Sequence, residues 1–86
     1  MATREEVYAA IDSERDYQDS RWNADTTPSE GRHTASEFIL YMEHYLMRAR
    51  EIAATSAEGN PEVLDWVRKV TTLGVACLEQ NGAPHR

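Results

Sequence analysis

Arg15, Tyr17, Arg21 and Trp22 crowd into the segment ERDYQDSRW, with Arg32 and His33 across a polar stretch and Arg68–Lys69 as a basic pair further on. Guanidinium forks bind phosphate in a bidentate manner and aromatic faces stack on bases, so this set holds the parts for a nucleotide or another phosphorylated small ligand. The same residues admit a plainer role. Glu14, Asp16 and Asp19 alternate with the arginines and can neutralise them. Arg15 and Asp19 stand at the i,i+4 spacing of a surface ion pair, worth a few tenths of a kcal/mol.

A metal site is the next candidate. Glu62 and Asp65 lie one helical turn apart and can share a divalent cation. At these two residues alone the chain resembles the ExxD element of the all-α pyrophosphohydrolases of the MazG type. Their facing ExxE pair has no counterpart here: Glu37 and Glu43 are six apart and fall on different helix faces. Glu62 also occupies a first helical turn, where an acid complements the helix dipole without any metal. Nucleophilic chemistry lacks a setting. Ser13, Ser29 and Ser36 lie in no nucleophile elbow, and Cys77 falls on an apolar face. His33, His44 and His85 show no zinc spacing, and no motif requires a cofactor.

The elements that carry these residues are legible from their caps. Thr3-x-x-Glu6 is a capping box that opens a helix over about 4–21. Its inner face begins apolar (Val7, Ala10, Ile11) and turns polar (Glu14, Tyr17, Gln18), so Glu14 either finds a partner or stays wet where the helix splays. Residues 23–33 read as a loop, longer than most helix connections. It delivers Arg32 and His33 to the N-terminus of the next helix, where free amides suit an anion unless Glu37 already occupies them. A second box, Thr34-x-x-Glu37, opens the helix over about 35–54, whose stripe Phe38, Ile39, Met42, Tyr45, Leu46, Ala49, Ile52 is the longest in the chain. Gly59 precedes Asn60-Pro61-Glu62, which reads as N-cap, N1 and first-turn acid for a third helix to about 81, ending at Asn81-Gly82. The expectation is a single all-α domain over 1–86, a small three-helix bundle built around the second helix.

Leu40, His44 and Met47, with Tyr41 beside them, lie off the main stripe of the second helix, as Leu64 and Val75 do on the third. Together they indicate a second buried surface and a homo-oligomer. Fifteen acidic against nine basic residues, a net charge of −6, argue against direct binding to nucleic acid or an anionic membrane. One cysteine allows no internal disulfide, no apolar run approaches the roughly 18 residues of a membrane span, and MATREEV lacks the apolar core of a signal peptide. A cytoplasmic protein is expected.

Three segments then carry a resemblance over nearly the whole chain: ERDYQDSRW, HTASEFILYMEHYLMRA and VRKVTTLGVACLEQNGAPHR. They resemble small, mostly uncharacterised tailed-phage proteins with the pattern ERxYQxxxW, HxxxEFxxYMxxYL and RKxxxLxVxCxEQxGxPxR, some of them called MazG-like. The resemblance implies an all-α fold and a phage setting, in the host cytoplasm. There, a short acidic helical protein suits non-enzymatic counter-defence. The first expectation is an oligomer that sequesters a cyclic or linear nucleotide signal through its Arg, Tyr and Trp residues. The alternatives are an inhibitor that covers a host protein with an acidic face, and a degenerate MazG-like pyrophosphohydrolase.

Overall fold

The computed structural model describes residues 1–27, 31–55 and 60–86. Pro28, Ser29 and Glu30 of the expected loop, and the run 56–59 with Gly59, lie outside the described residues. The fold is all-helical, α1 (Arg4–Arg21), α2 (Ala35–Thr55) and α3 (Pro61–Asn81), with no strand among the described residues.

Each helix starts where its cap dictates. The Thr3 hydroxyl accepts from the Glu6 amide at 3.1 Å, and the Glu6 carboxylate accepts from the Thr3 amide. Thr34 and Glu37 exchange the same two bonds at 3.1 and 3.0 Å. The Asn60 side chain accepts from the Glu62 amide at 2.9 Å, with Pro61 in the first turn. α3 stops at Asn81 because Gly82 turns to φ +117°, a backbone region that L side chains rarely adopt.

The helix at the centre is α3 rather than α2. Both α1 and α2 pack on α3, and among the described residues they do not pack on each other. Periodicity shows that a face is buried, not what covers it, so the longest stripe misidentified the hub. On α3 the roles fall in register. Asp65, Arg68, Thr72, Ala76 and Glu79 form the row turned to α1, where Arg68 and Glu79 reach α1 side chains. One residue on, Trp66, Leu73, Cys77 and Gln80 form the row on the α2 side, where Leu73 packs with Phe38, Met42 and Tyr45. One residue back, Leu64, Val67 and Leu78 face neither helix and are exposed. Successive residues point about 100° apart, which separates the three rows.

The core is small: Ile11, Phe38, Ala49, Leu73 and Ala76 are its buried apolar residues. Gly74 is not a close-approach glycine, since a Cβ there meets only the Met42 methyl at 3.4 Å, an ordinary contact. Polar bonds hold α1 instead of a broad apolar seam. Glu14 is buried and accepts from Arg68 Nε at 2.8 Å, which settles the alternatives left open for it. Arg15 forks onto Glu79 through Nε and Nη2, and also pairs with Asp19 at 3.0 Å. Val7 and Tyr17, expected on the inner face, are about half exposed.

Candidate functional site

Between the end of α1 and the flank of α2 lies a cleft of about 620 Å³, lined by Trp22, Thr27, Arg32, His33, Glu37, Phe38, Tyr41, His44, Tyr45 and Leu73. A volume of this size lies in the range of small-molecule sites, commonly about 300–1,000 Å³. Its walls are built locally. Asn23 donates to the Asp19 and Ser20 carbonyls and Thr26 donates to the Arg21 carbonyl, so the chain folds back just after α1. Trp22 is held there by the hydrogen bond that its backbone N–H donates to the Gln18 carbonyl at 2.8 Å.

The far side of the loop is fastened to α3. Gln80 accepts from the His33 amide at 2.8 Å and donates to the Gly31 carbonyl at 3.3 Å, while Asn81 donates to the His33 carbonyl at 3.1 Å. These bonds set Arg32 and His33 at the mouth of the cleft. Gly31, at φ +76°, lies against the Trp22 carbonyl so closely that a Cβ would come within 2.7 Å of its oxygen. Two ends of the loop thereby touch.

Inside, His33 meets Tyr41 edge-on at 5.1 Å and Phe38 at 5.7 Å, and its Nδ1 lies 3.6 Å from Glu37. Tyr45 continues the aromatic wall and stacks edge-on with Trp66 at 5.7 Å. Rings with imidazole and guanidinium groups at one end can hold a flat heterocycle that carries an anionic group.

Of the residues singled out from the sequence, Trp22, Arg32 and His33 come together here. Arg15 and Arg68 do not. They are engaged in the ion pairs between α1 and α3, and Arg68 also pairs with Asp65 at 2.7 Å. Lys69 lies over the Trp66 ring at 4.6 Å, and Arg21 lies 6.0 Å from the Tyr17 ring on the exposed side of α1. Tyr41 and His44, expected at a subunit interface, line the cleft, whereas Leu40 and Met47 are exposed outside it. Phe38, Tyr45 and Thr27 were not singled out as site residues; the only sequence signal was aromatic density on α2. Glu62 is exposed in the first turn of α3, and among the described residues no group of three or more His, Cys, Asp or Glu side chains could hold a metal ion.

Two carboxylates are held below the ordinary glutamate value of 4.5. Glu37 is lowered by the Thr34 amide and hydroxyl, with a smaller contribution from His33; Glu79 is lowered by Arg15. A depressed carboxylate contributes stability that is complete above its unfolded value and is lost as pH falls through its folded one. The melting temperature is therefore expected to hold from pH 7 to about 5 and to fall steadily below about pH 4.5. A flat profile down to pH 3 would show that neither bond stabilises the fold.

No protein-family model, curated protein or solved structure matches this chain. Among the described residues, no helix is long and apolar enough to cross a membrane.

Proposed function

We propose that this chain binds a nucleotide, cyclic or linear, in the cleft between the segment that follows α1 and the flank of α2, and holds it without turnover. The observation that carries the reading is the convergence of Trp22, Tyr41 and Tyr45 rings with Arg32 and His33 in one cleft. The base stacks on the rings and the phosphate meets Arg32 and His33, beside the Glu37 carboxylate. The sequestering role rests on the donor set: Asp65 is engaged by Arg68, and Glu62 lies in the first turn of α3. In the phage setting that the resemblance to small tailed-phage proteins implies, such binding suits counter-defence in the host cytoplasm, by a homo-oligomer that removes a nucleotide signal. Arg15 and Arg68, named from the sequence for ligand contact, act in this reading as the frame that positions α1.

Calorimetric titration with cyclic and linear nucleotides tests it. Trp22→Ala and Tyr41→Ala are each expected to weaken binding about 10- to 100-fold, the worth of one base–ring stack. Tyr17→Ala, outside the cleft, is expected to leave it unchanged. Equal loss in all three, or none in any, sinks the assignment. A second reading rests on Leu40 and Met47, exposed and outside the cleft. They suit an inhibitor that covers a host protein, which would co-purify at fixed stoichiometry.

A further inference from the structure

The chain exposes 6846 Å², whereas a compact monomer of this mass exposes about 5,200 Å². Its radius of gyration, 14.0 Å, likewise exceeds the roughly 12 Å of a compact chain of 86 residues. The exposed chain ends contribute to both, and so does one uncovered side of the α2–α3 hairpin. On α2 the flank bearing Tyr41 and His44 looks into the cleft lined by Trp22, just past the end of α1. The opposite flank carries Ile39 and Leu46, 61% and 58% exposed. On α3, away from the row facing α1, Val67 and Leu78 are 50% and 48% exposed, with Leu64 at the rim. One side of the hairpin is thus partly covered by α1, and the other presents large aliphatic side chains to water.

We infer that a second copy of this chain covers that side, the two α2–α3 hairpins packing face to face as a four-helix bundle with each α1 outside. Three observations point to a copy rather than an unrelated protein. The surface excess, roughly 1,600 Å² per chain with the exposed ends included, leaves room for the about 800 Å² that each partner gives to a standard interface. The face carries no charge at 39, 42, 46, 49 and 53 or at 63, 67, 70, 74 and 78, and Glu43 and Arg50 at its α2 edge are of opposite sign, although the chain carries a net charge of −6 that makes copies repel elsewhere. Finally, an antiparallel hairpin is the unit that two-fold pairing completes into a bundle. The inference takes the homo-oligomer of the proposed function and names its interface. Its test needs no ligand, so the two fail separately.

The test is mass in solution by light scattering, with circular dichroism as the control for folding. Wild type is expected at twice the chain mass or in a larger even-numbered assembly. Leu46→Glu and Val67→Glu, both exposed within one chain, are each expected to halve the number of chains while staying helical. Met47→Glu, about 100° further round α2, is expected to assemble as wild type does. Should the first two variants not fold, wild type decides alone, because the melting temperature of a dimer rises with protein concentration and that of a monomer does not. A monomeric wild type with a constant melting temperature would overturn the inference and leave the face for another protein. An odd-numbered assembly, or one that both glutamates leave intact, would overturn it too.

Discussion

Replacing Arg68 by leucine is expected to destabilise the fold by about 2–3 kcal/mol, somewhat less than loss of one partner from a fully buried pair because Arg68 is about one-third exposed. The cause is Glu14, a carboxylate only 8% exposed whose charge-assisted bond to Arg68 Nε is the inner tie between α1 and α3. Without it a charge stays buried and unpaired, or α1 swings out to wet it. A urea titration of the single variants and of Glu14→Leu/Arg68→Leu separates pair from burial. The double variant is expected to regain most of the loss, since two apolar side chains can replace a buried pair without leaving a charge behind. If Arg68→Leu costs under about 0.5 kcal/mol, the pair behaves like an ordinary surface bridge and α1 is held by something else.

Gly31→Ala is expected to cost roughly 2–4 kcal/mol, from a left-handed residue that gains a Cβ and from its collision with backbone. The atom it meets, the Trp22 carbonyl oxygen at 2.7 Å, is not the end of a flexible chain and cannot step aside alone. The loop must open, carrying Trp22 from the cleft and straining the Gln80 bond to the Gly31 carbonyl. Nucleotide affinity should therefore fall with stability. Denaturant unfolding and titration of the same sample check both halves. An alanine variant as stable as wild type would contradict the loop geometry.

The helix starts were legible because capping is local: Thr-x-x-Glu and Asn-Pro-Glu name their own bonds within four residues. The order of packing was not. Glu14 and Arg68 are 54 residues apart, and each has nearer opposite charges on its own helix, so no spacing rule pairs them. The division of α2 was lost for a related reason. Leu40 and Tyr41 are neighbours in sequence yet point about 100° apart, one outward and one into the cleft. Assigning both to one subunit interface merged a wall of the candidate site with an outer surface. Trp22, Arg32 and His33 were recognised by residue type. What joins them, the clamp of Gln80 and Asn81 on residues 31–33, appeared in the sequence only as a helix end.

The cleft is proposed to hold a nucleotide and release it unaltered. Thermal unfolding against a panel of cyclic and linear nucleotides, with and without magnesium, tests it most directly when each sample is then denatured and its nucleotide identified by chromatography. A ligand at 100 times its dissociation constant adds about 2.7 kcal/mol, or on the order of 10 °C in a domain of this size. Such a shift is expected for at least one nucleotide, with its loss in Trp22→Ala and recovery of that nucleotide intact. A nucleotide that shifts the protein and is then consumed in magnesium would contradict sequestration, and no shift across the panel would contradict nucleotide binding itself.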